Sequence, residues 1–237
     1  GAPISPSTIG IALENSLRSM KTDYVDLYQL HWPNRGSYMF RKNWRYDPTT
    51  QDRDAILEDM ASILECLEGY RREGKIRHFG LSNESAWGTA QWLRLSEDRN
   101  LPRVVSIQNE YSLLCRLFDT DLAELAHNED VGLLSFSPLA CGLLTGKYSA
   151  DAAAPSGSRK SIADDLGGRI SARLWPTIDA YRKLAADHDL DMAQMALAWA
   201  MKRPFMASVI FGATSLEQLE NTLRCLEIQL DDDIMTQ

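Results

Sequence analysis

Two hydrophobic patterns alternate along this chain: apolar residues spaced three or four positions apart, and short continuous apolar runs. The first spacing follows Ser5 and Pro6, a pair typical of a helix start, and the apolar run at 24–31 suits a strand buried on both faces. The patterns predict further helices at 54–73, 84–95, 118–127 and 170–186, and further strands at 76–81, 104–108, 131–136 and 207–211.

Two more helix starts are predicted at Asp191 and Ser215. Each is followed three residues later by a glutamine, Gln194 or Gln218, which is the spacing of a capping box. In a capping box the side chains of both residues bind backbone N–H groups of the first turn.

Strands that alternate with helices predict right-handed βαβ units, and a continuous ring of such units is an α/β barrel of the TIM-barrel, (β/α)8, type. A closed barrel has about eight strands in about 250 residues, whereas the patterns here give five. A long insertion at 34–53 follows the first strand. We therefore expect one domain over 1–237 that holds about five of the eight β/α units, with the insertion on the substrate side.

Composition narrows the class of protein. The net charge of −8 and the lack of a basic stripe argue against nucleic-acid binding. The longest apolar runs, such as 131–136, are far too short to span a membrane. The four cysteines are far apart and the four histidines do not cluster, so we expect reduced thiols, a cytoplasmic location and no metal site.

Polar or small residues stand at the ends of the predicted strands, where such barrels gather their functional groups. A serine or asparagine at any one of these places is more simply a helix cap. Five such strand ends in succession favour a functional site. The residues are His31, Ser82, Asn83, Gln108, Asn109, Phe136, Ser137, Gly212 and Thr214.

Five segments, each around the end of a successive strand, resemble the aldo-keto reductase family, especially members akin to the potassium-channel β subunits and the bacterial Tas-like reductases. The segments are TDYVDLYQLHWP, GKIRHFGLSN, IQNEYSLL, FSPLACGLLTGKY and FGATSLEQL. The resemblance implies hydride transfer between NADP(H) and the carbonyl carbon of an aldehyde or ketone. It also implies a tyrosine proton donor assisted by an aspartate, a lysine and a histidine.

His31, in QLHWP, matches the family histidine that orients the carbonyl oxygen, although a lone histidine is more often structural. The other three catalytic residues belong to strands that precede this one, so we expect them to be absent from this chain. Tyr38 and Tyr46 in the insertion are alternative proton donors, but an exposed tyrosine with a pKa of about 10 is a poor acid.

The resemblance implies that Ser82, Asn83 and Gln108 bind the nicotinamide carboxamide and that Phe136 stacks on the nicotinamide ring, with core packing as the alternative for Phe136. Further residues are implied for the phosphates and the adenosine. They are Ser137, Leu139, Cys141 and Gly142 around the pyrophosphate, Lys147 beside the phosphates, Arg159 at the 2′-phosphate, and Gly212, Thr214, Gln218 and Asn221 at the adenosine phosphate.

Several alternatives stay open. Lys147 could be a solvated loop lysine, Arg159 lies in a glycine- and alanine-rich loop that we expect to be mobile, and Asn221 is one position away from the family asparagine. GLLTGKY is not a phosphate loop, because that motif needs glycine at Cys141 and serine or threonine at Tyr148.

The whole chain is either an aldo-keto reductase whose N-terminal part lies outside these residues, or a catalytically deficient cofactor-binding or scaffold protein of the same fold. We expect a small carbonyl substrate and no nucleic-acid or membrane partner. The sequence leaves the oligomeric state open.

Overall fold

The computed structural model describes residues 2–237 and places α-helices and β-strands in alternation. The helices are α1 Pro6–Met20, α2 Arg53–Arg72, α3 Ala86–Arg99, α4 Asp121–Asn128, α5 Arg159–Ile162, α6 Leu174–Asp187, α7 Met192–Met201, α8 Leu216–Leu223 and α9 Asp232–Thr236. The strands are β1 Val25–Leu30, β2 Ile76–Ser82, β3 Val104–Glu110, β4 Gly132–Phe136 and β5 Met206–Val209. Short 3-10 helices cover Leu117–Asp119, Ala140–Thr145 and Arg224–Glu227.

The strands form one sheet in chain order, β1-β2-β3-β4-β5. β1 pairs with β2 and β2 with β3, both in parallel, with Val25 opposite Ile76 and Phe79 opposite Val104. Parallel neighbours joined through helices confirm the predicted α/β class and the five predicted strands.

The predicted helix starts are correct, but the glutamine half of each capping box is wrong. Asp191 accepts the backbone N–H groups of Ala193 and Gln194, and Ser215 accepts that of Gln218. The Gln194 amide instead donates to Asn221 Oδ1 at 2.6 Å, and Gln218 Oε1 accepts from the backbone of Thr214. Gln194 therefore binds a residue of α8 and Gln218 binds the residue before its N-cap, instead of the backbone N–H of the N-cap residue itself.

Several predicted bounds were also wrong. α3 continues to Arg99 and ends at Asn100, which adopts the left-handed conformation typical of a helix C-terminus. Ser96, within the helix, donates its hydroxyl to the Trp92 carbonyl at 2.8 Å. The helix predicted at 118–127 is a 3-10 turn followed by α4. α5 lies where a mobile loop was expected, and β5 ends two residues before the predicted bound.

The chain divides into two compact units. The first comprises residues up to Asn109 together with Asp119–Leu133, and the second comprises Glu110–Phe118 together with Leu134–Gln237. The assignment of one domain to 1–237 stays a prediction.

Each unit has its own apolar core. In the first, Ile63, Leu64 and Leu67 of α2 are buried, as are Phe79 and Leu81 of β2. In the second, every residue of α7 from Met192 to Ala200 is buried, and Trp199 stacks on Tyr111 with ring centroids 5.3 Å apart. Among residues 2–237 no helix is long and apolar enough to cross a membrane.

Candidate functional site

In the first unit, His31 directly follows β1 and its side chain is exposed. The imidazole lies beside Trp32, with ring centroids 5.8 Å apart. The backbone carbonyl of His31 accepts a hydrogen bond from Asn83 Nδ2 at 3.1 Å. An exposed imidazole held at a strand end can donate a hydrogen bond to a ligand.

Ser82, Asn83 and Gln108 form one hydrogen-bond network with the backbone of His31. Asn83 Nδ2 also donates to Ser82 Oγ at 3.1 Å, and Ser82 Oγ donates to the Gln108 carbonyl at 2.7 Å. Asn83 adopts the left-handed conformation with φ 56°, which asparagine tolerates better than most residues. The structure therefore brings together all four predicted site residues of this unit.

Asn83 Oδ1 is buried and has no hydrogen-bond partner within residues 2–237. Buried acceptors without a partner are rare and call for an explanation, and a ligand donor is one. A primary carboxamide offers two N–H donors and one acceptor, so its amino group suits Asn83 Oδ1. The residues present therefore fit the carboxamide of a nicotinamide cofactor.

Asn109, the other polar residue at this strand end, has a structural role. Its side chain accepts from the Glu84 N–H at 3.2 Å and donates to the Glu84 carbonyl at 3.0 Å. It thereby fixes the backbone that follows Asn83. This pairing leaves Asn109 out of the candidate site.

Sequence reasoning missed an ion pair that fixes the start of the insertion. Arg35 binds both carboxylate oxygens of Glu84, and the two side chains are only 5% and 3% exposed. Arg35 also donates to Ser85 Oγ at 3.1 Å, and its guanidinium lies 5.2 Å from the centre of the Trp87 ring. The two charged residues are 49 positions apart in the sequence, and no local sequence pattern predicts such a pair.

The aromatic residues of the insertion differ in exposure: Trp44 is 92% exposed and Phe40 is 40% exposed. Tyr38 and Tyr46 are half-buried and meet edge to face, which corrects the expectation that both are exposed. Burial, together with the negative charge of Glu84, raises the pKa of Tyr38. Burial also raises the pKa of Tyr28. Both changes make these hydroxyls weaker acids.

In the second unit, the loop after β4 holds the predicted pyrophosphate residues in an unusual backbone. Ser137, Ala140, Cys141 and Gly142 all have positive φ, between 48° and 92°. Leu139 precedes the 3-10 helix and its carbonyl accepts from the Gly142 N–H at 2.9 Å. Left-handed turns of this kind form concavities in which backbone N–H groups can bind anions.

Phe136 ends β4 and is half-buried, and its carbonyl accepts from the Tyr111 N–H at 3.3 Å. Half-burial leaves part of the ring available for stacking on a ligand.

Gly142 and Lys147 lie together. A Cβ atom at Gly142 would stand 2.9 Å from Lys147 Cε and 3.4 Å from the Tyr148 ring. The Lys147 ammonium lies 5.3 Å from the centre of that ring. The lysine is therefore folded over the glycine backbone, where it can meet an anion held by the loop.

Arg159 is exposed and begins α5. The hydroxyl of the preceding Ser158 is buried and has no partner in the described part of the chain. An exposed guanidinium is suited to binding a phosphate group.

At the start of α8, Gly212, Thr214 and Gln218 are exposed, and Thr214 donates to Gln218 Oε1 through its N–H and its hydroxyl at 3.0 and 3.1 Å. Asn221 is half-buried and its Oδ1 is engaged by Gln194 of α7. The structure therefore groups Thr214 with Gln218 and directs Asn221 Oδ1 towards α7.

A second buried ion pair, between Glu110 and Arg169, was also missed. Arg169 donates to Glu110 Oε1 at 2.7 Å and to the Leu166 carbonyl at 2.6 Å. Leu166, Gly167 and Gly168 have positive φ, so this pair closes a tight turn ahead of α6.

Comparison with known proteins gives consistent matches. The model of the aldo/keto reductase family matches residues 1–237. Protein tas of Escherichia coli (strain K12) is 40% identical over 95% of this chain and 64% of its own length. An aldo-keto reductase of Babesia bovis is 32% identical over 94% of this chain and 81% of its own. A protein named NADH-specific methylglyoxal reductase from E. coli is 27% identical over 97% of this chain and 62% of its own.

Proposed function

The chain belongs to the aldo/keto reductase family. From that premise we propose that the chain is part of an NADP(H)-dependent oxidoreductase, which reduces an aldehyde or ketone or catalyses the reverse oxidation. The chain spans less than two thirds of the length of the tas protein. The activity therefore belongs to the whole protein. The four cysteines are free thiols, which supports a reducing, cytoplasmic location.

The observation that carries the proposal is the buried and unsatisfied Asn83 Oδ1 within the network of His31, Ser82 and Gln108. This acceptor would bind the carboxamide amino group, and the Gln108 side chain would add a further polar contact. Phe136 would cover one face of the nicotinamide ring.

NADPH, when bound, supplies the hydride. As negative charge develops on the carbonyl oxygen of the substrate, His31 donates a hydrogen bond to that oxygen. A proton must also reach it, and the raised pKa values of Tyr28 and Tyr38 oppose a role for either as the acid. We propose that the tyrosine donor, with its aspartate and lysine, is supplied by polypeptide outside residues 1–237.

For the cofactor, we propose a preference for NADP(H) over NAD(H), which rests on Arg159 and Lys147. One relative carries NADH-specific in its name, so the preference needs its own test. Dissociation constants for NADPH and NADH are measured by fluorescence titration of the wild type, of Arg159→Ala and of the control Arg173→Ala, another exposed arginine of the same unit.

Loss of a charged hydrogen bond should weaken NADPH binding by roughly 10- to 100-fold in Arg159→Ala. NADH binding should stay the same, and Arg173→Ala should bind like the wild type. Equal affinity of the wild type for the two cofactors would refute the preference.

The catalytic assignment is tested by NADPH oxidation with a panel of aldehydes. The 237-residue chain should be slower than a form extended to eight strands by about 10²- to 10⁴-fold, the usual cost of losing a general acid. Robust turnover by the 237-residue chain that His31→Ala abolishes would place the proton donor inside it. An extended form that binds NADPH but turns over no aldehyde would favour a cofactor-binding or scaffold role.

A further inference from the structure

Tyr148 is the buried centre of the loop that carries the candidate phosphate-binding residues. Its side chain is 2% exposed, and its backbone carbonyl accepts from Arg182 of α6 at 3.2 Å. The residue is therefore fixed to the body of the second unit, although both neighbouring segments reach the surface.

The Tyr148 ring supports Lys147 and Gly142. The Lys147 ammonium lies 5.3 Å from the ring centre, within the range of a cation–π interaction. The ring edge also limits the space above Gly142, where an added Cβ would contact it at 3.4 Å. The ring thus sets where the lysine charge lies relative to the glycine backbone.

The Tyr148 hydroxyl holds the beginning of α5. It accepts a hydrogen bond from the backbone N–H of Lys160 at 3.2 Å. This N–H belongs to the first turn of α5, where backbone donors have no partner within a helix, and Ser158 provides no side-chain cap. Tyr148 supplies the missing acceptor, next to Arg159.

We propose that Tyr148 is a positioning residue that holds Arg159 and Lys147 in a fixed relation, so that both cations can bind the phosphates of one cofactor and NADPH is preferred over NADH. The inference deepens the proposed function and rests on it. Tyr148 touches no reacting atom, and it acts through Lys147 and the first turn of α5.

The first test needs no cofactor. Trypsin cleaves after Arg159 and Lys160, and cleavage of a native protein reports how often the site opens locally. The initial cleavage rate at these bonds, followed by mass spectrometry, is compared in the wild type, in Tyr148→Phe and in the control Tyr181→Phe. This control also removes a tyrosine hydroxyl that makes one hydrogen bond to the backbone, because the Tyr181 hydroxyl donates to the Leu113 carbonyl at 3.3 Å in the same unit.

Tyr148→Phe keeps the ring and its contacts with Lys147 and removes only the bond to Lys160. Its cleavage rate should rise roughly fivefold, as expected for the loss of one hydrogen bond, and Tyr181→Phe should match the wild type. An unchanged rate in Tyr148→Phe would overturn the proposal. A rise of equal size in both variants would also overturn it, because it would report general loosening.

The second test separates positioning from a merely structural role. NADPH affinity should fall roughly fivefold in Tyr148→Phe, and NADH affinity should change by less than about twofold. Equal weakening of both cofactors would overturn the positioning role. If the wild type does not prefer NADPH, the proposed cofactor preference fails and the specificity role fails with it, while the tryptic result still decides whether Tyr148 anchors α5.

Discussion

Among single residues, Arg35 and Glu84 show how completely a buried ion pair must be satisfied. Charged groups taken out of water need several hydrogen bonds to offset the lost hydration. Glu84 Oε1 accepts from the Ser85 N–H at 2.7 Å as well as from Arg35, and Arg35 also binds the Ser85 hydroxyl. Room for this arrangement depends on the absence of a side chain at Gly88.

Gly88→Ala should destabilise the protein by about 1–3 kcal/mol, the usual cost of overpacking. The new Cβ would overlap Arg35 Nη2 and Glu84 Oε1, so the buried ion pair would have to shift. The control is Gly69→Ala in α2, where nothing lies within 4 Å and the helix should gain about 0.5–1 kcal/mol. Urea unfolding measures both, and equal effects would contradict the prediction.

Glu68 should contribute a pH-dependent part of the stability. Hydrogen bonding to Arg71, with a further bond to Arg72, lowers the pKa of this carboxyl from 4.5. A carboxyl with a lowered folded-state pKa stabilises the fold above its unfolded-state pKa, and this stability is lost as the pH falls through the folded-state pKa.

Glu68→Gln should therefore be less stable than the wild type at pH 7, and the difference should shrink as the pH falls below 4.5. Urea unfolding across that range measures it. Glu58→Gln, an exposed glutamate of the same helix, is the control. A difference that stays constant with pH would show that the carboxylate charge is not its cause.

At the scale of secondary-structure elements, what could be predicted was local. Ser5, Asp191 and Ser215 cap helices as expected because a cap depends only on the next two or three residues. The ends of the strands were predicted to within about two residues from the apolar runs, which are also local. The family resemblance was confirmed.

Non-local features could not be read from the sequence. Gln194 and Asn221 are 27 positions apart, and Glu110 and Arg169 are 59 apart, so only folding brings them together. In the loop after β4, glycine accounts for the positive φ at Gly142 and Gly146, whereas Ser137, Ala140 and Cys141 adopt it without a sequence signal.

The loop after β4 allows a sharp test of close packing. Gly142→Ala adds a Cβ that meets Lys147 Cε at 2.9 Å on a backbone with φ 92°. We expect a loss of about 1–2 kcal/mol in stability from the backbone conformation and weaker NADPH binding from the displaced lysine. Gly157→Ala, at φ 72° with nothing within 4 Å, should show the backbone cost alone. Equal NADPH affinity in the two variants would exclude displacement of Lys147 as a cause.

At the scale of the whole molecule, apolar surface is concentrated around β5 and α8 of the second unit. A cleft of about 380 Å³ is lined mainly by apolar side chains, among them Leu197, Met201 and Phe211. Leu223 and Leu226 at its margin are 47% and 67% exposed. Exposed apolar clefts of this kind bind hydrophobic probes.

The 237-residue chain should therefore enhance the fluorescence of the anionic dye ANS, and Leu226→Glu should reduce that enhancement by roughly half, because it places a negative charge at the margin of the cleft. Ile162→Glu is the control, since Ile162 is 81% exposed and does not line the cleft. The same reduction in both variants would show that the dye binds elsewhere.

The insertion between β1 and β2 also affects the order of events during translation. Val25 pairs with Ile76, whereas Phe79 pairs with Val104, about half as far along the chain. Doubling a loop adds only about 0.6 kcal/mol to the entropy cost of closing it, so the final fold tolerates the insertion. On the ribosome, however, β1 emerges long before β2, and at about 5–20 residues per second it waits several seconds for this partner.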